Sequence, residues 1–479
     1  MSKDARWNWQ DLLCPERIRE AHSVDASDLR SEYEKDYHRI IGSASFRRLQ
    51  DKTQVFPLDK SDFVRTRLTH SLEVSSLSKS LAQNVGRSIV RNIKDPTFLP
   101  ENQADICDIL QCAGLLHDIG NPPFGHFGET SIRTYFRENL SRISYRVPGA
   151  MQELPLDELL LPQMMADFCH FEGNAQALRL VTKLHFLVDA HGMNLTKALL
   201  ATIIKYPVSS LEIDPTGPVR AHKMGCFYSE RDIFRDIETA TGLHGARHPL
   251  TFLLEAGDDM AYHTADIEDA FKKGYLSFHE LVRELENDIR ENEEPGYLEL
   301  IGDLKGRREK AEAQGMRDAG GYAVQNWIIR VQAKLISEAT ESFTRNYDAI
   351  MRGEYGKELL DGTDAEHINR RLGEIARDYV FQSREIKLIE ISAERILNYL
   401  LDCFVRAAIH YDTDVEMSPV DSRLMVLVSD NYKTIYDIYS KDKDPVEKLY
   451  LRLLLVTDYV CGMTDSYAQD LYQRLNGRI

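Results

Sequence analysis

Histidines and aspartates that could bind a metal ion occur at three separated places in the sequence. His117 and Asp118 are adjacent and follow an apolar run. His70 lies earlier in the chain, and the pair Asp258-Asp259 follows a second apolar run. Paired acids beside apolar residues are costly to bury unless they meet a cation. Two imidazoles and two carboxylates suit a first-row divalent ion and leave positions open for water and phosphate.

A helix end is needed to bring the adjacent His117 and Asp118 to one ion. Neighbouring residues of a helix diverge by about 100°, so the two side chains could share a site only where the helix stops. The apolar run of residues 106–116 predicts the helix, and Gly120 with Pro122-Pro123 predicts its end. A lone His-Asp pair is more often an ordinary hydrogen-bonded helix end, so the metal prediction depends on the more distant histidine and aspartates.

Apolar residues recur with the helical period along most of the chain, which predicts an all-α protein. Hairpin turns of the Gly-Asn or Asp-Gly type are scarce, so we do not expect a large sheet. Helical stripes are predicted for Leu68, Leu72, Leu77 and Leu81, for residues 323–336, for Ile396, Leu400, Phe404, Ala407 and Ala408, and for residues 449–460.

Two segments interrupt this helical pattern. Residues 141–162 mix prolines with short apolar pieces and predict a loop. Residues 284–321 are rich in charge and end in Gly320-Gly321, which predicts an exposed excursion or a mobile helical hairpin.

The composition excludes several classes of protein. The formal net charge of −17 argues against a surface devoted to nucleic acid, although a local basic pocket is compatible with it. The cysteines contain no Cys-x-x-Cys pair, so neither a disulfide framework nor a zinc ribbon is predicted. The first residues lack a signal peptide, and no apolar run is long enough to cross a bilayer. We therefore expect a cytoplasmic protein without membrane association.

Motifs of other common enzymes are missing from the sequence. It contains no Walker loop, no Gly-x-Gly-x-x-Gly, no His-Glu-x-x-His and no Glu-x-x-His. A P-loop NTPase, a dinucleotide oxidoreductase, a zinc protease of the commonest kind and a ferritin-like di-iron bundle are therefore disfavoured.

The order His70, His117-Asp118, Asp258 resembles the H…HD…D signature of HD-domain phosphohydrolases. Longer stretches are more specific, and together they resemble the deoxyguanosine triphosphate triphosphohydrolase family nearly from end to end. These stretches are RRLQDKTQVFPL (residues 47–58), RTRLTHSLEV (65–74), LLHDIGNPPFGHFGE (115–129), HFEGNAQALRL (170–180), Lys205-Tyr206, DDMAYHTADIED (258–269) and GMTDSYA (462–468).

The resemblance implies a fold and a reaction. The fold is an all-α HD-domain helical fold with additional C-terminal helices. It would comprise an N-terminal segment contributing to the active site (residues 1–60), an HD phosphohydrolase core (61–275) and a C-terminal helical region packed on that core (276–479). The reaction is metal-dependent hydrolysis of a deoxynucleoside triphosphate, with dGTP favoured, to deoxynucleoside and inorganic tripolyphosphate.

The resemblance also implies the metal ligands and the acid–base residues. The implied ligands are His70, His117, Asp118 and Asp258, for Mn²⁺ or Mg²⁺ first and for Fe²⁺, Co²⁺ or Zn²⁺ as alternatives. His126 and Glu129 would be the acid–base pair, because a spacing of i to i+3 lets the carboxylate orient the imidazole and favour its protonated form. Whether His126 acts as acid or base stays open, and an ordinary loop histidine is the alternative.

Substrate contacts are expected from cations and polar groups within the resembling stretches. A structural role is nearly as plausible for each of them, and Arg65 and Arg67 are ranked lower because they could pair with structural acids. The candidates are Arg48, Lys205, Lys223 and Tyr206 for phosphate, Gln54 for sugar or base, and Asn174 for a further polar contact.

The sugar is expected to be read by one face of a helix. Asp258, Tyr262 and Asp266 are spaced i, i+4 and i+8, and Tyr262 therefore lies about 6 Å along the helix from the implied metal ligand. A tyrosine ring against C2′ would exclude a 2′-hydroxyl, and Asp266 could accept a hydrogen bond from the 3′-hydroxyl. A core aromatic and a solvated acid are the alternative.

Other functions of the same fold stay open at this point. One is a different HD-type nucleotide phosphohydrolase, and another is a nucleotide- or nucleic-acid-binding regulator without turnover. The resemblance further implies a homo-oligomer, with a hexamer expected, and allows binding of single-stranded DNA.

Overall fold

The chain folds into helices that enclose one continuous apolar core, as the sequence predicts. The computed structural model describes residues 6–19, 27–58, 61, 63–186, 188–289 and 295–478. Core side chains within these ranges run from Trp9 to Leu471. None of the described helices is both long and apolar enough to cross a membrane.

The N-terminal helices lead to a short extended segment that touches the first long helix. A capping box between Ser31 and Glu34 begins the second of these helices. After the third, the amide of Arg67 donates to the Lys52 carbonyl over 2.9 Å, and Thr53 bridges to Thr66. The N-terminal helices are α1 (Trp9–Leu12), α2 (Glu32–Ile41) and α3 (Ala44–Arg48).

The central helices surround α4, which packs closely against α5 and α12. Small residues allow this approach, since a Cβ at Gly114 would lie 2.5 Å from the Ser75 Cα, and one at Gly257 would lie 2.4 Å from the Ser78 hydroxyl. The central helices are α4 (Arg67–Ser88), α5 (Asn102–Leu116), α6 (Gly125–Asn139), α7 (Leu156–Leu159), α8 (Pro162–Cys169), α9 (Gly173–Arg179), α10 (Lys197–Ile203), α11 (Arg231–Thr241) and α12 (Pro249–Lys273).

The helix α4 is confirmed, but its buried face is only partly the predicted leucine stripe. Leu81 is fully buried and Leu68 and Leu77 pack against the core, whereas Leu72 is 50% exposed. Ser71, Ser75 and Ser78 are buried instead, because close helix packing selects side chains by size as well as by apolarity.

The C-terminal half is also helical. The predicted stripe from Ile396 to Ala408 is buried on one helix, which confirms it. The C-terminal helices are α13 (Phe278–Asn287), α14 (Pro295–Ala313), α15 (Ala319–Arg345), α16 (Tyr347–Met351), α17 (Glu366–Ala376), α18 (Arg384–Ala408), α19 (Pro419–Leu427), α20 (Asp430–Ser440), α21 (Pro445–Cys461) and α22 (Asp465–Leu475).

The two segments predicted to interrupt the helices have structure of their own. Residues 141–162 contain a small antiparallel hairpin, β1 (Ser144–Tyr145) with β2 (Leu154–Pro155), and the helix α7, so the loop prediction was wrong there. In the charge-rich segment, α14 forms a hairpin with α15, and the Trp327 indole donates to the Leu300 carbonyl over 2.8 Å. This hairpin is packed through buried residues of α14 despite its surface charge.

Helix α12 lies at the centre of the molecule. It packs against α4, α5 and α10 on the N-terminal side and against α15 and α17 on the C-terminal side. The predicted boundary between residues 275 and 276 falls just after α12 ends. The division into three regions stays a prediction.

Candidate active site

The turn after α5 places the two adjacent candidate ligands at the edge of a cleft. Helix α5 ends at Leu116, so His117 and Asp118 stand at its C-terminal end as predicted. Gly120 does not stop the helix by a left-handed conformation. Instead, a Cβ there would collide with the backbone of α9. The left-handed residues come later, at Phe124 (φ 62°) and Gly125 (φ 61°).

Three of the four predicted metal ligands converge in this cleft. The Nε2 atom of His70 lies 3.1 Å from Oδ1 of Asp258, and Nε2 of His117 lies 3.4 Å from the same oxygen. One ligand atom from each residue falls within 4.8 Å of the others. Helices α4, α5 and α12 each supply one of the three.

The hydrogen bonding of His117 fits a metal ion. Its Nδ1 donates to the Gly114 carbonyl over 2.8 Å, so Nε2 is the ring nitrogen that faces the cluster and would bind an ion in the neutral ring. This Nε2 is buried and has no hydrogen-bond partner. Burial opposes the charged imidazolium, but Asp118 and Asp258 raise the pKa of His117 to about 9. The cluster therefore stabilises positive charge at the place where an ion would sit.

Asp118 lies beside this cluster rather than inside it. Its Oδ2 is 3.5 Å from Nε2 of His117 and forms an ion pair with Arg67, while its Oδ1 accepts from the Asn121 side chain. Burial alone would raise its pKa, but Arg67 and His117 hold the pKa of Asp118 well below the usual range. The carboxylate is thus ionised and available to a cation.

His126 and Glu129 form the predicted pair on the first turn of α6. The Nδ1 atom of His126 lies 3.0 Å from Oε2 of Glu129, and Oε1 of Glu129 accepts from the Gly173 amide over 2.7 Å. Glu129 is 2% exposed, whereas the His126 side chain is 73% exposed. The hydrogen bond that the His126 ring donates to Glu129 raises the pKa of His126. Burial would raise the pKa of Glu129, but the bond to His126 lowers it. The imidazolium form is therefore favoured.

One cavity of about 540 Å³ connects the metal cluster and His126. This volume lies in the range of roughly 300–1,000 Å³ that is usual for small-molecule sites. Lys205 on its wall forms an ion pair with Glu255, and Lys223 lies 3.0 Å from Glu172. Predicted residues that line the cavity are Gln54, His70, His117, Asp118, His126, Asn174, Lys205, Tyr206, Lys223, Asp258 and Tyr262.

Comparison with known proteins shows which family this chain resembles. The family model of the HD domain matches residues 67–155. A deoxyguanosinetriphosphate triphosphohydrolase-like protein of Listeria monocytogenes is 46% identical over 98% of this chain and 99% of its own length. A protein with the same description in Pseudomonas aeruginosa is 34% identical over 98% of this chain and 99% of its own length.

This chain belongs to the deoxyguanosinetriphosphate triphosphohydrolase family. A further member, the deoxyguanosinetriphosphate triphosphohydrolase of Salmonella enteritidis, is 32% identical over 98% of this chain and 97% of its own length. Several of the stretches that resemble this family are far apart in the sequence but contribute residues to the same cavity.

Two predicted substrate residues of this family member lie away from the cavity wall. Arg48 lines a second cavity and donates weakly to the Tyr432 hydroxyl over 3.4 Å. Asp266 is buried one turn beyond Tyr262, and neither of its carboxylate oxygens has a hydrogen-bond partner. Burial, with Asp269 close by, raises the pKa of Asp266 well above its usual value. The geometry gives Arg48 no contact with the metal cluster.

Sequence reasoning missed several residues that line the cavity. Arg67 was ranked below Arg48, although its position three residues before His70 on α4 could have indicated that both face the cleft. The structure agrees with the low rank of Arg65 as a substrate contact, since this residue forms ion pairs with Glu73, Glu268 and Asp269. A group from the C-terminal half had no motif to identify it, and it comprises Phe381, Ile386, Ile389, Glu390 and Ala393.

Proposed function

We propose that this protein hydrolyses deoxynucleoside triphosphates, with dGTP favoured, to the deoxynucleoside and inorganic tripolyphosphate. The observation that carries the proposal is the cavity that joins the His70–His117–Asp258 cluster to His126, which Glu129 holds from behind the cavity wall. The description of the Salmonella enteritidis relative supports the same substrate.

The metal cluster suits a reaction at phosphorus. His70, His117 and Asp258, with Asp118 beside them, would hold a divalent ion, and we propose Mn²⁺ or Mg²⁺ before Fe²⁺, Co²⁺ or Zn²⁺. When bound, such an ion supplies Lewis-acid polarisation of a phosphoryl oxygen. The buried, unpartnered Nε2 of His117 supports this use of the site.

Cationic side chains on the cavity wall would bind the triphosphate. Lys205, Lys223 and Arg67 are all engaged by carboxylates in this structure, with Glu255, Glu172 and Asp118 respectively. These ion pairs hold the cations in place, and phosphate oxygens would share them. The Tyr206 hydroxyl on the same wall adds a neutral donor.

His126 is proposed as the general acid. Its Nδ1 is occupied by Glu129, which leaves Nε2 for the substrate, and the raised pKa favours the protonated ring. Water adds to the α-phosphorus and the bond to the 5′-oxygen breaks, while His126 delivers a proton to that oxygen. The proton that the water loses passes to solvent, from which His126 is protonated again. The products are then the deoxynucleoside and tripolyphosphate.

The far part of the cavity would read the sugar and the base. Tyr262 lines the cavity and its ring stacks parallel to Phe381, with centroids 6.3 Å apart. Asp266 is buried and does not line the cavity, so it is not included among the residues proposed to contact the sugar. Glu390 presents a carboxylate, and guanine offers adjacent N–H donors at N1 and N2 that a carboxylate can accept together. This complementarity supports dGTP as the favoured substrate.

Product analysis tests the proposal directly. The protein is incubated with each deoxynucleotide in turn and with GTP, with Mn²⁺ or Mg²⁺, and the anions are separated. We expect tripolyphosphate, fastest from dGTP, and in ¹⁸O-labelled water the label enters tripolyphosphate. Orthophosphate or pyrophosphate as first product, or label in the nucleoside, would indicate another HD-type reaction. No turnover of any nucleotide, with binding retained, would indicate a regulator.

The assembly and surroundings of the protein are proposed from the family resemblance alone. We propose a hexamer, a cytoplasmic location and capacity for single-stranded DNA. Light scattering of the purified protein tests the first, and binding of a labelled oligonucleotide at several salt concentrations tests the last.

A further inference from the structure

We propose that Lys52 and Asp465 are positioning residues that hold the turn of residues 121–125, and through it His126, in the geometry needed for turnover. We call these two side chains the turn clamp. The inference rests on the proposed function. It accounts for two family stretches, around residues 52 and 465, that no catalytic role explains.

Lys52 ties the turn to the end of α21. Its ammonium group is buried and donates to the Asn121 carbonyl and to the Cys461 carbonyl, each over 2.6 Å. The Cys461 carbonyl belongs to the last turn of α21, where carbonyls have no intrahelical partner, and the Asn121 carbonyl lies in the turn after α5. One side chain therefore joins the loop after α5 to the C-terminal helices.

Asp465 ties the same turn to the N-terminal segment. Its Oδ1 accepts from the Phe124 amide and its Oδ2 accepts from the Thr53 amide, each over 2.9 Å. The carboxylate is buried, and both of its oxygens are used by backbone donors. Lys52 and Thr53 are neighbours, so the two halves of the clamp reinforce each other.

The clamped turn has a backbone that needs such support. Phe124 is left-handed at φ 62°, an unfavourable conformation for a residue with a side chain. Gly125 follows at φ 61°, where a Cβ would collide with the Arg67 guanidinium. The bond from the Phe124 amide to Asp465 holds the backbone in this conformation.

The turn connects directly to the reacting groups. At the start of the turn, the Asn121 side chain donates to Asp118. At its end, the turn leads into the first turn of α6, which contains His126. Neither Lys52 nor Asp465 lines the cavity itself. The clamp therefore acts on catalysis through the position of His126, and its two side chains do not line the substrate cavity.

Single variants separate positioning from binding. Asp465→Asn keeps the shape but sets an amide donor against a backbone N–H, and Lys52→Met keeps the length but removes the donors. We expect kcat to fall about 100-fold in each, the scale for a displacement of about 1 Å, while KM stays within about threefold. The control is Ser466→Ala, which removes only an exposed bond to Asp51 and leaves kcat unchanged.

A double variant tests whether the clamp acts through His126. If it does, His126→Ala with Asp465→Asn is no slower than His126→Ala alone, because the misplaced group is already gone. Effects that multiply in the double variant overturn the proposal, as does wild-type kcat in Asp465→Asn or a rise in KM alone.

Hydrogen exchange of the holoenzyme tests the clamp independently of catalysis. Amides of residues 119–127 exchange faster in Asp465→Asn and in Lys52→Met than in wild type or Ser466→Ala. Unchanged exchange in both clamp variants overturns the proposal. If wild-type protein releases no tripolyphosphate, the proposed function fails, and this exchange measurement alone then decides whether the clamp holds the turn.

Discussion

Two clusters of buried charge in this protein differ in how their polar atoms are paired. In the first, which we call the Arg179 cluster, the guanidinium binds both oxygens of Asp458 over 2.8 and 2.7 Å and Glu230 over 2.8 Å. Lys183 lies 3.0 Å from the same Glu230, so two cations balance two anions. In the cavity, by contrast, three buried nitrogen atoms have no hydrogen-bond partner. They are Nε2 of His117, Nδ1 of His70 and Nε of Arg67.

The difference indicates what each cluster is for. Buried polar atoms are nearly always hydrogen-bonded in folded proteins, because an unmade bond costs about 1–3 kcal/mol. The charges of the Arg179 cluster are satisfied by one another and need nothing more from outside. The atoms of the cavity are left for groups that the chain does not supply. Substitutions in the two clusters should therefore have opposite signatures.

The largest effect is expected from Asp118→Ala in the cavity. The change removes an ionised carboxylate beside His117, so metal binding and hydrolysis are lost together. We expect the rate of tripolyphosphate release to fall about 10³-fold or more, while the helical circular-dichroism signal is kept. Metal content is measured on the same sample. Full activity in the metal-stripped variant would contradict a role for the ion.

Arg179→Met should have the reverse signature. Removing the guanidinium leaves Asp458 and Glu230 buried with too little positive charge, which lowers the free energy of unfolding by about 3–5 kcal/mol. We expect kcat per folded molecule to change little. Urea unfolding followed by circular dichroism gives the first quantity. A loss of kcat without a loss of stability would place this cluster in catalysis.

Tyr262→Ala tests whether the cavity itself selects the sugar. Without the ring, a 2′-hydroxyl gains room, and we expect the preference for dGTP over GTP in kcat/KM to fall about 10- to 100-fold. Binding of dGTP weakens as well. Tyr262→Phe keeps the ring and should keep the preference. Equal discrimination in the alanine variant and wild type would mean that another residue reads the 2′ position.

Glu129→Gln should have the smallest effect, a shift in pH dependence. Glu129 raises the pKa of His126, so the variant lowers it. A general acid works only below its pKa, and the rate falls as pH rises through that value. The falling limb of kcat against pH therefore moves to lower pH. Glu138→Gln, an exposed change on the same helix, is the control, and an unmoved limb in Glu129→Gln would exclude His126 as the acid.

Local patterns predicted the helices, whereas the family resemblance supplied most of the predicted cavity residues. The apolar run before His117 fixed the end of α5, because helix periodicity and proline are local signals. His70 and Asp258 could be joined to that end only through the family resemblance. The hairpin of β1 and β2 was missed because strands of two residues leave no period to detect.

Long-range packing explains what the sequence did not predict. Arg48 and Arg67 have the same chemistry, but the fold places Arg67 on the cavity wall and Arg48 at a second cavity beside Tyr432. Phe381 enters the cavity at the end of a π-helical turn, Arg377–Phe381, between α17 and α18. Such a turn departs from the regular helical period and has no sequence signature.

The turn clamp also has a consequence for the timing of synthesis. Its contacts join residues 409 and 341 positions apart, Lys52 with Cys461 and Phe124 with Asp465. Chains are made at about 5–20 residues per second, and the earlier segments fold first. A nascent chain can therefore assemble α4, α5 and α6 well before the clamp can close. Until residue 465 leaves the ribosome, the growing polypeptide carries the proposed metal ligands but lacks the contacts that fix its turn.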